Sequence, residues 1–182
     1  MATVLALTAG PSPASRTALL AEHTAACRRA RGHHTHVLAL RDRPAAPLLT
    51  ADTHHASIAR ALRLVAEADS PVVATPIHQA AYSGLLKTFL DLLPQHAFTG
   101  KPVLPLTTGG SPAHVMALDY ALRPVLTALG AHVTQGRFVL DRHITAAPGG
   151  AVALDHDGGL QLARITDQFA WALSSRAQLT AA

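Results

Sequence analysis

The chain of 182 residues is long enough for one domain with a substantial buried core. Hydrophobic residues make up 49% of it and charged residues 14%, a balance that excludes intrinsic disorder. Its mean hydropathy is +0.22, but no uninterrupted apolar run approaches the roughly 18 residues that a membrane span needs. Residues 1–10 also lack the basic start of a secretory signal peptide. We therefore predict one soluble, cytoplasmic domain over residues 1–182.

The net charge is +4, from 15 lysines and arginines against 11 aspartates and glutamates. The arginines are mostly scattered, and one Trp, two Tyr and four Phe leave little aromatic surface on which bases could stack. We therefore expect no nucleic-acid partner, whereas a small phosphorylated ligand suits the positive charge. The single cysteine excludes a disulfide framework, and the twelve histidines do not occur at metal-ligand spacing, so we expect no metal site.

Short apolar runs alternate with helical stretches along the chain. Strands are predicted over residues 3–9, 34–40, 71–75, 102–107 and 132–140. Helices are predicted over residues 16–30, 53–68, 83–93, 113–129 and 160–177, with a loop at 41–52 and an irregular stretch at 141–159. This alternation predicts an α/β three-layer sandwich around a parallel sheet. Five short units favour the flavodoxin-like strand order 2-1-3-4-5 over a six-stranded Rossmann sheet, and no G-x-G-x-x-G follows the first strand.

Ligands in such sheets bind beyond the carboxyl ends of the strands, where residues 10–17, 76–84 and 107–111 are expected. The first of these loops offers hydroxyls, a guanidinium and the N–H groups of a helix start, in Ser12, Ser15, Arg16 and Thr17. This chemistry suits a phosphate, because donors and the positive end of the helix point at the same place. A helix capped by Ser15 after a proline-rich turn explains the same residues equally well.

The other two loops could hold a flat ring. Pro76, Ile77 and His78 could pack on its face or edge, although Thr-Pro is also an ordinary end for a strand. After the fourth strand, Thr108 is followed by Gly109 and Gly110, which permit close backbone approach to a ligand because glycine has no Cβ. A double glycine is also common in plain turns.

Two segments carry a specific resemblance: TPIHQAAYSGLLKTFLDLLP and GKPVLPLTTGGSPAHVMALDYALRPVLTALGA. They resemble the NADPH-dependent FMN reductases, most closely the sulfonate-utilisation members that supply reduced FMN to alkanesulfonate monooxygenases. The similarity runs from the first strand to about Phe138. It implies an enzyme in which NADPH delivers hydride to FMN and no side chain acts as acid or base.

The resemblance also implies where FMN binds, with its phosphate in the first loop and its ring between the third and fourth. The cofactor-binding residues it implies are Ser12, Ser15, Arg16, Thr17, Pro76, Ile77, His78, Thr108, Gly109 and Gly110. Two positions depart from the family pattern. The Gly-Ser-x-Arg that usually opens the first loop is replaced by Gly-Pro-Ser-Pro, and His78 stands where relatives often have tyrosine.

Tyr120 falls where sulfonate-type members carry a tyrosine in a π-helical bulge at a tetramer interface. Pro124 independently predicts a kink in the same helix. Apolar residues in the helices at 83–93 and 113–129 exceed one sheet-facing stripe, so we predict a homodimer or homotetramer through these helices.

Three other functions must be weighed against the same sequence. The same site could retain FMN in a quinone or azo-dye reductase. A flavodoxin-type electron carrier is disfavoured because such carriers are usually acidic, and a flavin-binding regulator is compatible with the sequence.

Overall fold

The computed structural model describes residues 1–146, 152–155, 159, 162–167 and 169. The strands are β1 (Thr3–Thr8), β2 (His34–Ala39), β3 (Ser70–His78), β4 (Ala81–Tyr82), β5 (Pro102–Gly109), β6 (His132–Val133), β7 (Arg137–Leu140), β8 (Ile144–Ala146) and β9 (Val152–Leu154). The α-helices with complete bounds are α1 (Arg16–Ala30), α2 (Ala45–Leu49), α3 (Ala56–Glu67), α4 (Gly84–Leu90) and α5 (Arg123–Ala128). Residues 162–167 are also helical.

The main sheet has the order β2-β1-β3-β5-β6, with β7 also pairing with β5, and these pairs are all parallel. Because β6 and β7 together form the predicted fifth strand, the flavodoxin-like order 2-1-3-4-5 is confirmed. That strand is interrupted opposite Pro105, which has no N–H to donate. A Cβ on Gly136 would lie 2.6 Å from both the Pro105 ring and its carbonyl oxygen, so only glycine fits this crossing.

Two hydrophobic clusters lie on opposite faces of the sheet and complete the three layers. One cluster packs α3, α4 and α5 against the sheet through residues such as Ile58, Phe89 and Leu126, all 0% exposed. The other packs α1 and the helical residues 162–167 through Leu20 and Ile165. Each large apolar side chain buried in this way contributes roughly 1.5–3 kcal/mol of transfer free energy.

The prediction of irregular structure is wrong for two segments, residues 41–52 and 141–159. Within residues 41–52, α2 begins directly after Pro44. Pro47 is tolerated there because a first-turn N–H has no acceptor within the helix. Within residues 141–159, β8 and β9 pair as an antiparallel hairpin. Of the predicted helix at 160–177, residues 162–167 and 169 are helical, and the remainder lies outside the described residues.

The helix predicted over residues 113–129 is not continuous. A 3₁₀ turn at Pro112–His114 precedes a π-helical segment at Leu118–Leu122, which passes directly into α5. The expected π-helical bulge is therefore confirmed, and Tyr120 lies within it. Pro124 lies at the start of α5, directly after the π-helical segment. Because proline has no N–H, it interrupts the helical hydrogen-bond pattern at this junction.

Candidate functional site

The carboxyl ends of β1, β3 and β5 meet at one edge of the sheet, and they bring the first and fourth loops into contact. Thr17 Oγ1 lies 2.6 Å from Thr108 Oγ1, a hydrogen bond between two buried hydroxyls that joins α1 to the end of β5. Each side chain therefore has its hydroxyl in the core. Thr17 can meet a phosphate through its backbone N–H rather than through its side chain.

The first loop is a backbone cradle around Ser15. The Ser15 hydroxyl caps α1 by accepting from the Ala18 N–H at 3.2 Å. A Cβ on Gly10 would collide with the Ser15 hydroxyl, so glycine is required where the chain leaves β1. The N–H groups of Arg16 and Thr17 lie in the first turn of the helix, where no helical carbonyl can accept them. These N–H groups are donors for an anion at the helix start.

A pocket of about 710 Å³ lies beside this loop, between the start of α1 and β8. Among the described residues that line it, Arg16 and Arg41 are cationic and Glu22 is acidic. Arg16 is exposed, and in the part of the chain that the structure describes its side chain makes one long hydrogen bond, from Nε to the Ile144 carbonyl oxygen at 3.4 Å. Its guanidinium is therefore largely free to meet a phosphate.

Sequence reasoning missed Arg41, which follows β2. Its Nη1 donates to the Ser12 carbonyl oxygen at 2.9 Å and holds the first loop in place. Because β1 and β2 are neighbours in the predicted sheet, a residue directly after β2 is expected near the first loop. The sequence pattern predicts only an irregular loop over residues 41–52, which gives Arg41 no predicted neighbours.

The third predicted loop is largely a strand. β3 continues through Pro76 and Ile77 to His78, then turns back into β4. Pro76 is half-buried and His78 is exposed, so these two can border a ligand. Ile77 is only 3% exposed and lies on the opposite face of the strand from its two neighbours. Its side chain is therefore too buried to line the flavin ring as expected.

The turn between β3 and β4 has an unusual backbone. Gln79 and Ala80 have φ angles of +49° and +60°, as the two central residues of a type I′ turn require. Neither is glycine, although the left-handed region costs an L-residue about 1–2 kcal/mol. Strain of this size in a loop beside a strand end is common at functional sites.

Ala80→Gly is therefore expected to stabilise the protein by about 0.5–1 kcal/mol, because glycine removes the left-handed cost but gains freedom in the unfolded chain. For a chain of this size Tm should rise by about 2 °C or somewhat more, measured by thermal denaturation. Ala81→Gly, in β4 and at negative φ, is the matched control and should lower Tm. A fall in Tm for Ala80→Gly would contradict the assignment of a strained turn.

Ser83 connects this hairpin to the first loop. Its hydroxyl lies 3.0 Å from the Ala9 carbonyl oxygen and 3.2 Å from the Leu86 N–H, so it also caps α4. Its backbone N–H donates to Thr75 Oγ1 at 3.0 Å. Beside it, burial raises the pKa of the Tyr82 hydroxyl above its ordinary value, so this side chain stays neutral over the physiological range.

The fourth loop places one glycine inside the protein and one at the surface. A Cβ on Gly109 would lie 3.1 Å from the Phe138 ring and 3.2 Å from His114 Nδ1, so the rest of the chain already packs there. Gly110 is exposed, and the nearest atom to its Cβ would be Asp141 Oδ2 at 3.9 Å. The open backbone face of the loop is therefore at Gly110, whereas the rings of His114 and Phe138 pack against Gly109.

The sequence model of the NADPH-dependent FMN reductase family matches residues 2–145. The chain belongs to this family. An FMN reductase (NADPH) of Pseudomonas putida is 44% identical over 147 residues, covering 80% of this chain and 75% of the relative. An NADH-dependent FMN reductase, SfnF, of Pseudomonas fluorescens is 34% identical over 157 residues, covering 80% and 82%. The solved apo structure of an NADH:FMN oxidoreductase, EMOB, is 41% identical with a TM-score of 0.87, covering 96% of this chain and 90% of that one.

As a member of the FMN reductase family, the protein is an NAD(P)H:FMN oxidoreductase that uses FMN and NAD(P)H. The donors fit FMN: free N–H groups at the start of α1 suit its phosphate, and the open backbone at Gly110 suits its ring. The described residues contain no group of three or more His, Cys, Asp or Glu side chains that could hold a metal ion. No described helix combines the length and hydropathy needed to cross a bilayer.

Proposed function

We propose that this FMN reductase releases its reduced FMN to a separate flavin-dependent monooxygenase, as the resemblance to the sulfonate-utilisation members implies. The observation that carries the proposal is the exposure of the ring-side residues: His78 and Gly110 lie at the surface. On the phosphate side, Arg16 is also exposed. A site open along its length favours a flavin that enters and leaves as a substrate.

Within this site each element has a separate task. The N–H groups of Arg16 and Thr17, with the guanidinium of Arg16, would bind the FMN phosphate, and the capped Ser15 fixes their positions. Pro76 and His78 would border the ring on one side and Gly110 on the other. When bound, FMN itself accepts the hydride, so these residues orient the two substrates and need not exchange protons.

The test is NADPH oxidation by the purified protein, with and without added FMN, followed by gel filtration of the protein mixed with FMN. Oxidation that saturates with FMN, together with loss of FMN on the column, supports a reductase that releases its product. FMN that stays with the protein would favour the quinone or azo-dye reductase. Absence of oxidation in both conditions would favour an electron carrier or a regulator.

A monooxygenase assay then tests the partner. Reduced FMN from this protein should support turnover of a flavin-dependent monooxygenase that has no reductase of its own, with NADPH as the sole electron source. Catalase in the same assay separates direct use of reduced FMN from the effects of peroxide. A monooxygenase that turns over only with chemically reduced FMN would contradict the supply function.

We also propose a homodimer or homotetramer, through a smaller surface than the helical pattern predicts. The apolar residues of α4 mostly pack within this chain, as Leu86, Phe89 and Leu90 are buried. The exposed apolar residues beside the fourth loop are Val115, Met116 and Tyr120, at 48%, 53% and 75% exposure. Together they form an apolar patch around the π-helical segment, of the kind that mediates association.

Light scattering at tens of micromolar is expected to show a dimer or tetramer, and Tyr120→Asp should shift it to a smaller species because a carboxylate cannot be buried unpaired. Leu49→Asp is the matched control, since Leu49 is 74% exposed but lies on α2, away from the patch. A monomeric wild-type protein would contradict the proposal, as would equal dissociation of the two variants.

A further inference from the structure

A second pocket, of about 500 Å³, lies between the π-helical segment and β7. Pro112, Val115 and Leu118 line one side of it, and Arg137, Phe138 and His143 are among the residues of the other. Of the described residues, none lines both this pocket and the pocket beside the first loop. It is therefore separate from the site proposed for the FMN phosphate.

The second pocket begins beside the fourth loop. The Phe138 ring that lines it would lie 3.1 Å from a Cβ on Gly109, and Gly110 is the next residue along the chain. A molecule whose reactive end sits against the flavin ring at Gly110 can therefore extend into this pocket. NAD(P)H is such a molecule, because its nicotinamide must reach the flavin while its adenylate half lies elsewhere.

Among the charged side chains that line the pocket, one cation has no partner within the described residues. Arg123 is held by Asp119, from Nε to Oδ1 at 2.9 Å, and by the Thr134 carbonyl oxygen at 3.2 Å. His143 pairs with Asp155 through Nδ1. The side chain of Arg137 makes no hydrogen bond or ion pair with any residue that the structure describes, and its Nε is buried without an acceptor.

The pocket therefore combines an apolar, partly aromatic wall with an uncompensated guanidinium. An adenine base carries a flat apolar face, and the phosphates attached to its nucleotide are the acceptors that a guanidinium binds most strongly. A guanidinium without a partner is costly at the wall of a pocket, and a bound phosphate would compensate its charge.

We propose that this pocket binds the adenylate half of the nicotinamide dinucleotide and that Arg137 binds one of its phosphates. The inference rests on the NAD(P)H-dependent activity but not on a monooxygenase partner. Arg137 acts here as a binding residue for the hydride donor and has no contact with FMN.

The first experiment measures binding of NADP⁺ by calorimetry to the protein without FMN, in wild type and in Arg137→Ala. Loss of one charge-assisted hydrogen bond should weaken binding about tenfold or more. Arg137→Lys should recover part of the loss. The matched control is Arg142→Ala, which removes an exposed arginine of the neighbouring turn that does not line the pocket, and it should bind NADP⁺ like wild type.

Kinetics with three donors then locate the contact. Arg137→Ala should raise KM for NADPH about tenfold or more, with kcat and the Kd for FMN unchanged. An equal rise for NADH places the contact at the adenylate-side phosphate of the pyrophosphate, whereas a rise confined to NADPH places it at the 2′-phosphate. Reduced nicotinamide mononucleotide has no adenylate half, so its KM should not change.

Two results would overturn the inference: unchanged NADP⁺ affinity in Arg137→Ala, or the same rise in KM for reduced nicotinamide mononucleotide as for NADPH. Should Arg137→Ala fail to fold, Arg137→Gln keeps the length and polarity of the side chain, and the same outcomes apply. Absence of NADPH oxidation by the wild type is a different result, since it would contradict the enzyme activity and leave NADP⁺ binding to be measured directly.

Discussion

Gly110→Val is expected to abolish FMN binding, with a loss of affinity of about a hundredfold or more, while the free energy of unfolding changes little. A branched side chain at the exposed backbone of Gly110 would occupy the space in which the flavin ring must lie. Within the protein itself the nearest atom to the new Cβ is Asp141 Oδ2 at 3.9 Å, an ordinary contact, so the fold has room for the substitution. Fluorescence quenching of FMN measures the affinity, and thermal denaturation measures the stability.

A graded series sharpens this test. Gly110→Ala adds a single methyl group and should lower the affinity for FMN less than Gly110→Val does. In both variants the affinity for riboflavin should fall in parallel, because riboflavin has the same ring. Gly109→Ala is the contrasting variant, since its Cβ would press on Phe138 and His114 and should lower stability as well. Normal FMN affinity in Gly110→Val would show that the fourth loop is an ordinary turn that does not contact the flavin ring.

Arg16→Ala is expected to lower the affinity for FMN about ten- to hundredfold and to leave the affinity for riboflavin almost unchanged. The guanidinium of Arg16 is exposed beside the free N–H groups of the first turn, and its only described hydrogen bond, to the Ile144 carbonyl, is long at 3.4 Å. A charge-assisted hydrogen bond to the phosphate dianion contributes roughly 1.5–3 kcal/mol. Titration with both flavins separates a direct contact from general damage, which would weaken the two alike.

The matched control is Arg29→Ala, an exposed arginine in the last turn of the same helix. It removes the same charge far from the first loop, so FMN affinity should change little. If Arg16→Ala and wild type bind FMN equally, the phosphate is held by the backbone N–H groups, and Arg41 becomes the next cation to test.

The order of the sheet was predictable because long-range rules constrain it. Strands alternating with helices leave few topologies, and buried runs such as β3 and β5 can only be central. The same rules place Thr17 and Thr108 at one edge of the sheet, and in the structure their hydroxyl oxygens lie 2.6 Å apart. They could not show that the two hydroxyls bond to each other and turn away from the ligand side.

Local exceptions were not predictable from periodicity. α2 is too short to show a helical repeat. Pro44 and Pro47 are typical of a loop, although one can precede a helix and the other is accepted in its first turn. The sequence at Gln79 and Ala80 contains no glycine, the residue that favours a type I′ turn, so the sequence predicts that β3 ends at residue 75. Arg41 was missed for a related reason, because a residue assigned to a loop has no predicted neighbours.

The hydrogen bond between Thr17 and Thr108 has a consequence for ligand choice. It joins the two loops proposed to hold opposite ends of the flavin, so neither loop can shift without the other or without breaking a buried bond. The spacing between phosphate and ring is thus set before any ligand arrives. Flavins that match this spacing gain affinity from a rigid site, since little ordering entropy is lost on binding. Thr108→Val, which keeps the shape but loses the hydroxyl, would let the two loops vary independently, and FMN would then lose its preference over flavins with longer side chains.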